Sequence, residues 1–415
     1  MVSVFIPSIL DLPALILAIL IGHAIINAVC KRHGNKVDRN LLTKLFYYHL
    51  AFSFIYIIYI MFFGGDARGY WLPPIRFIGP ADSILRLHSP GSAFIHFLTF
   101  PLSQILGLSL WGGAALFSLF GFSGVVCIYL TMRKVLRVNP TLFGIKLFPL
   151  VLFLPNMHFW SSGVGKDSII FFSLALFVYC LTDLKKNIPF LLMSFYLGYY
   201  VRPHIALVMV AGAAIALVLS SRGISPAARI GFFGLALTTM VLISSSVFTF
   251  IGVEEDIESY EDVTSIRSKN LSRGNVGSRI AISNMPVPLK ILTFLYRPLI
   301  FDANNLFGLV VSFENLFYLT LTISVLRWRN IARVFRLPLP LMACGVMALA
   351  TAYFMSGSLS NLGIIIRQKN MVMFMVVLIS MYFLAEYQAR ARAGITRVRK
   401  AASPATASKP ENPVR

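Results

Sequence analysis

Long apolar runs separated by short polar breaks recur through this chain of 415 residues. Read as spans of roughly 17 to 25 residues, the length needed to cross a hydrocarbon core, they predict helices near 10–30, 45–64, 108–131, 142–159, 168–184, 188–201, 204–220, 230–252, 309–326, 338–357 and 370–387. Two further stretches, 93–106 and 287–308, are too short or too interrupted to span and predict re-entrant or interfacial pieces. The fold class that follows is an all-α, polytopic integral membrane protein of about eleven transmembrane helices. A single multi-span domain covers 1–387. A basic tail, 388–415, is poor in large apolar side chains and rich in Ala, Ser and Pro, and is expected to be disordered.

Composition agrees with that pattern. Hydrophobic residues make up 57% of the chain and charged ones 13%, against about 25% charged in soluble domains. The distribution of charge then orients the spans. Between them, one set of loops and the tail carries Lys31, Arg32, Lys36, Arg39 and Lys44; Arg133, Lys134, Arg137 and Lys146; Lys185 and Lys186; Arg222 and Arg229; Arg327, Arg329, Arg333 and Arg336; and seven more after 388, together 24 of the 37 Lys and Arg. The positive-inside rule makes this side cytoplasmic, with the N-terminus outside and the C-terminus inside. The outward loops are then 65–92, 159–167, 253–308 and 358–369. A net charge of +21 needs no nucleic-acid partner, because the excess lies where anionic headgroups meet it. No Lys or Arg precedes Lys31 and no small-residue cleavage site follows the first apolar run, so that run predicts a span rather than a cleavable signal. Cys30, Cys127, Cys180 and Cys344 fall inside spans near their cytoplasmic ends and read as packing residues.

The outward loops hold the candidate chemistry. The first opens GGDARGYW, with Asp66 and Arg68 just behind two glycines. A carboxylate there can act as a general base if held in a water-poor cleft, or can simply pair with Arg68. The second reads FWSSGVGKDS, where Ser161, Ser162, Gly163 and Gly165 precede Lys166 and Asp167 and a helix follows. Backbone N–H groups at a helix start beside a lysine suit a phosphate, though Asp167 as a plain cap reads equally well. Arg202 and His204 lie in VRPH, Arg297 and Asp302 in LYRPLIFDANN, and Arg367 in SNLGIIIRQKN. Each arginine alone fits snorkelling to headgroups. Together, in polar breaks with Asn304, Asn305 and Glu314, they are natural partners for phosphate or pyrophosphate. The loop 253–286 runs from acidic (Glu254, Glu255, Asp256, Glu258, Glu261, Asp262) to basic (Arg267, Lys269, Arg273, Arg279), as a solvated loop or a lid over the membrane face does. No metal-ligand set and no cofactor motif is identified, and dependence on a divalent cation is left open.

The outward motifs GGDARGYW, WSSGVGKDS, RPH, LYRPLIFDANNL with SFENL, and SNLGIIIRQ together resemble bacterial surface-polysaccharide repeat-unit (O-antigen-type) polymerases and related GT-C-type membrane glycosyltransferases. The resemblance covers most of residues 60–370. It implies a bacterial inner-membrane enzyme of the cell envelope that transfers a sugar or oligosaccharide from a polyprenyl-pyrophosphate-linked donor to an acceptor hydroxyl at the extracytoplasmic face. It implies Asp66 as the catalytic carboxylate and Arg202, Arg297 and Arg367 as ligands to pyrophosphate; Arg68, Lys166, Asp167, His204 and Asp302, in the same outward motifs, complete the candidate set for pyrophosphate or glycan. Partners would be the lipid-linked glycan, the bilayer and other polysaccharide-assembly proteins. Two features depart from the pattern. The Asp-bearing loop follows the second span rather than the first, and Arg267 and Gly277 enclose nine residues rather than the ten of an Arg-x10-Gly motif. Polymerase, ligase and single-sugar transferase all stay open, as do a transporter or flippase of lipid-linked glycans and a non-catalytic assembly subunit. The enzyme readings carry one geometric expectation: Lys166, Arg202, Arg297 and Arg367 converge on one outward cavity with Asp66 at its edge.

Overall fold

The structure, a computed structural model, describes residues 3–34, 37–74, 84–219, 225–251, 285–303, 305–327, 332–358 and 362–402. The described chain is almost wholly helical: α1 Asp11–His33, α2 Arg39–Phe63, α3 Asp66–Trp71, α4 Ser92–Phe100, α5 Leu110–Val135, α6 Pro155–Ser161, α7 Lys166–Cys180, α8 Leu184–Val201, α9 Pro203–Leu219, α10 Pro226–Ile251, α11 Val287–Tyr296, α12 Leu306–Val325, α13 Leu339–Ser358 and α14 Leu362–Ala402. Among the described residues six of these are long and apolar enough to cross a membrane, and a seventh span results if the bent pair α6–α7 is taken as one.

Packing follows lipid rules rather than aqueous ones. On α1 the buried positions are Ala14, Ala18, Gly22 and Ile26, a stripe of mostly small residues at four-residue spacing, whereas Leu12, Ile16, Leu17 and Leu20 face outward. Small residues let helix backbones approach closely, and the bulky apolar ones are left for the bilayer. The centre of the bundle is α5 and α7, both largely buried, with the 371–385 stretch of α14 against them. Gly121 marks a close approach between chain segments. A Cβ there would overlap the Ser161 carbonyl oxygen and press on the His49 ring. Because neither neighbour is the free end of a flexible chain, Gly121→Ala is expected to destabilise the protein by roughly 1–3 kcal/mol, read as a lower thermal midpoint in detergent.

Contacts between helix ends sort them onto two faces. On one, the Asp11 carboxylate accepts from the Ser109 N–H at 2.9 Å and the Ser109 hydroxyl at 2.6 Å, joining the starts of α1 and α5. The Trp71 indole donates to the Leu108 carbonyl at 2.9 Å, bringing in the chain beyond α2. On the other, Arg32 at the end of α1 donates to Asn187 in α8 at 3.1 Å, Lys134 at the end of α5 donates to Thr182 beyond α7 at 2.7 Å, and the Tyr129 hydroxyl accepts from the Asp38 N–H before α2 at 2.9 Å. The Arg327 guanidinium beyond α12 lies 4.3 Å from the centre of the Tyr387 ring in α14. This second face holds the described residues of the Lys- and Arg-rich set.

Two sequence expectations are corrected. The run 142–159 is not one helix. Phe143 and Gly144 both take positive φ, 51° and 81°, the signature of a two-residue hairpin turn, between strands β1 (Thr141–Leu142) and β2 (Ile145–Lys146) paired antiparallel. A 3-10 turn, Leu150–Phe153, and the seven-residue α6 follow, because Pro149 and Pro155 cannot continue an α-helix. Side chains stand in for the missing ladder. Asn139 exchanges two hydrogen bonds with the Phe148 backbone, at 2.6 and 3.1 Å, the Tyr48 hydroxyl donates to the Phe153 carbonyl at 3.0 Å, and His158 Nε2 lies 2.6 Å from the Leu152 carbonyl. Glu314 accepts from the Asn156 N–H at 2.8 Å. Irregular backbone inside the bundle requires such partners. The second correction is that α14 continues as helix to Ala402, so 388–402 is not the structureless segment expected there. The charged loop through 284, its lid reading included, and residues 403–415 lie outside the described residues, as does Asn304.

Candidate functional site

Among the described residues, ends of α2, α3, α6, α7, α8, α9 and α14 meet on the face opposite the basic one. Gly64 (φ 73°) and Gly65 (φ 150°) turn the chain out of α2 into α3, a path open to glycine, and place Asp66 in the first turn of α3. The break Ser162–Gly165 bends α6 against α7 by 116° and brings Lys166 and Asp167 to the start of α7. Arg202 sits between α8 and α9, and Arg367 in the first turns of α14.

Asp167 is the hub. Its Oδ1 accepts from Arg202 Nη2 at 2.9 Å and its Oδ2 from Arg367 Nε. Arg367 then reaches outward through Nη1 to Asp66 Oδ2 at 2.7 Å, and Arg202 Nη1 donates to Gln368. The ladder runs from buried to wet. Side-chain exposure is 8% at Arg202, 14% at Asp167, 20% at Arg367 and 56% at Asp66. Lys166, half-buried, lies within electrostatic reach of Asp66, Asp167, Arg202 and Arg367. Three cations therefore face two carboxylates. Burial lowers the proton affinity of the Arg202 guanidinium, against the pull of Asp167, and burial raises the Tyr70 hydroxyl, with the Asp66 carboxylate adding to the rise. Trp160 is buried with its ring 5.9 Å from the Arg367 guanidinium, and its indole N–H has no acceptor among the described residues.

The structure brings Lys166, Arg202 and Arg367 together with Asp66, across 301 positions between Asp66 and Arg367, as a packed ion-pair network. Gathered arginines repel one another unless an anion lies between them; here Asp167 is that anion, so Arg202 and Arg367 are held within the protein. Arg297 stands apart. Its guanidinium grips Asp302 through Nε at 2.9 Å and through Nη2, and the Phe301 ring lies 5.8 Å from it. Burial would raise the Asp302 carboxyl, but the bonds from Arg297 and from the Leu299 N–H at 2.9 Å hold it below the usual carboxylate range. Arg68 lies half-buried in α3, and His204 half-buried in the first turn of α9 beside Arg202. Asp66 pairs across the fold with Arg367 rather than having only its neighbour Arg68 to meet it.

The sequence reading missed Lys369 and Gln368. Lys369 is fully buried and its Nζ donates to the Arg297 carbonyl at 2.8 Å and to Asn315 Oδ1 at 2.6 Å, while Asn315 donates to the Pro298 carbonyl at 2.7 Å. These bonds satisfy carbonyls at the end of α11, where no helix continues. A signal was present: Arg-Gln-Lys-Asn at 367–370 turns through most of a helical circumference, at about 100° per residue, so the four cannot all face lipid. Among the described residues no group of three or more His, Cys, Asp and Glu is placed to hold a metal ion. Compared with models of known protein families, with curated proteins and with solved structures, the chain matches none of them.

Proposed function

We propose that this protein is a membrane glycosyltransferase or polysaccharide polymerase, transferring a sugar or oligosaccharide from a polyprenyl-pyrophosphate-linked donor to an acceptor hydroxyl at the extracytoplasmic face. The observation that carries the reading is the graded ladder Asp66–Arg367–Asp167–Arg202 with Lys166 beside it. Asp66, the exposed end, is oriented by Arg367 and takes the acceptor proton. Lys166, at the start of α7, and the Trp160 N–H meet the lipid pyrophosphate, whose growing negative charge they stabilise as the glycosidic bond breaks. Arg202 and Asp167 hold Arg367 in place from below. Arg297 and Asp302 are left to brace the chain after α11.

The same proposal includes eleven crossings with the N-terminus outside and the C-terminus in the cytoplasm. What supports it is the sorting of helix ends: the starts of α1 and α5 lie together on one face, and their ends lie with the starts of α2 and α8 on the other. The basic face is assigned to the cytoplasm by the positive-inside rule.

A flippase of lipid-linked glycans is the competing reading, since a broken helix with ionisable residues at its break is a transporter device. Here the charged ladder sits at helix ends on one face, which favours chemistry at that surface. Deleting the gene separates the two. Lipid-linked glycan is expected to accumulate where a glycan-binding probe reaches it from outside intact cells, because flipping has already occurred. Accumulation confined to the cytoplasmic leaflet would assign the protein to transport.

A further inference from the structure

A second charged cluster lies on the opposite, Lys- and Arg-rich face. Arg137 just past α5, Arg333 and Arg336 before α13, and Arg390 on α14 line a cavity of about 260 Å3 together with Glu386 and Tyr387. That is far more than the roughly 10–15 Å3 a single water requires. Among the described residues Glu386 is the one carboxylate lining the cavity with these four arginines. Glu386 pairs with Arg137 at 3.4 Å and with Arg390 at 3.4 Å, and its side chain is 16% exposed. Among the described residues the side chains of Arg333 and Arg336 make no ion pair. The Arg327 guanidinium, over the Tyr387 ring, adds a further cation nearby.

Four guanidiniums around one concave space, with a surplus of three positive charges, repel one another. The outward ladder relieves its own repulsion with two carboxylates; this cluster has one. Arg137 and Arg390 are 75% and 53% exposed and can spread into water. Lining a common hollow instead gives up that relief, unless an anion with several acceptor oxygens enters. Guanidinium forks match phosphate oxygens in geometry and charge, and a basic hollow between helices on this side of a membrane is where phosphate headgroups are within reach.

We infer that this cavity is a phosphate-binding site, taking either the headgroup of an anionic phospholipid or a free phosphate compound. The site is separate from the outward ladder and stands whether or not the glycosyltransferase reading does.

The test uses the full-length protein purified in neutral detergent, titrated in one arm with phosphatidylglycerol in mixed micelles and in the other with inorganic pyrophosphate. Retained ligand is read by native mass spectrometry and by the shift in thermal midpoint. The double variant Arg333→Gln/Arg336→Gln, at partly exposed positions, is expected to keep the ligand-free midpoint and to bind about tenfold or more weakly, as loss of two charge-assisted contacts implies. Lys185→Gln/Lys186→Gln, on the same face but outside the cavity, is expected to stay within about twofold of wild type, as generic surface charges do. Saturable, variant-sensitive binding of phosphatidylglycerol alone identifies a lipid headgroup as the occupant, and binding of pyrophosphate identifies a free phosphate compound; either supports the site. The inference is overturned if neither ligand binds, or if the two double variants weaken binding equally.

Discussion

Asp167→Asn is expected to lower stability by about 3–5 kcal/mol, the range for removing one partner from a buried ion pair. Asp167 alone joins Arg202 and Arg367, both largely buried. Asparagine keeps the shape and withdraws the charge, leaving two guanidiniums facing each other in a medium that screens poorly. The loss should appear as a depressed thermal midpoint in detergent and as release of Arg367 from Asp66. Asp167→Leu/Arg202→Leu, which removes an apposed pair, should fall less far than Asp167→Asn, because apolar side chains can replace a buried pair at little cost. A fall in stability of under about 1 kcal/mol for Asp167→Asn, the size expected of a solvated surface pair, would show that the hub is not a hub.

Asp66→Asn should behave in the opposite way. More than half of the Asp66 side chain is exposed, and exposed pairs contribute little to stability, so the variant should fold and reach the membrane at the wild-type level. Transfer from a lipid-linked donor, followed in isolated membranes as labelled product, should drop by roughly 10²–10⁴-fold, the contribution of a positioned general base. Asp66→Glu keeps the charge while displacing it and should recover part of that loss. Wild-type transfer by Asp66→Asn would remove the carboxylate from the chemistry and leave it as the outer latch of Arg367.

These two variants separate residues whose burial the sequence alone does not distinguish. Asp66 and Asp167 each follow glycines at a helix start, and nothing local distinguishes an exposed carboxylate from a buried one. Arg202, Arg297 and Arg367 likewise read as one set. Arg297 leaves that set because Asp302, five residues on, is close enough to capture it, a pairing that local spacing makes legible. Arg367 joins it because no acidic residue lies near it in the sequence, so its partners come from α3 and α7. Glu314, singled out as a functional candidate, instead accepts the Asn156 N–H and the Tyr318 hydroxyl, serving backbone that leaves the helical ladder.

The sequence by itself determined that the chain is helical and apolar enough for a membrane, where most helices begin and end, and which ends carry the positive charge. Those properties are set by composition and by spacing within about twenty residues, which is the reach of a helix in a bilayer. In 142–159 the breaks at Gly144, Pro149 and Pro155 are local to the sequence, but only the tertiary structure supplied the side chains that satisfy the freed backbone, Tyr48 and Glu314 among them, because they come from distant helices. Only it decided which cations meet carboxylates. An ion pair depends on distances of about 3–4 Å between groups hundreds of residues apart, and no periodicity along one chain encodes which helix ends will lie side by side.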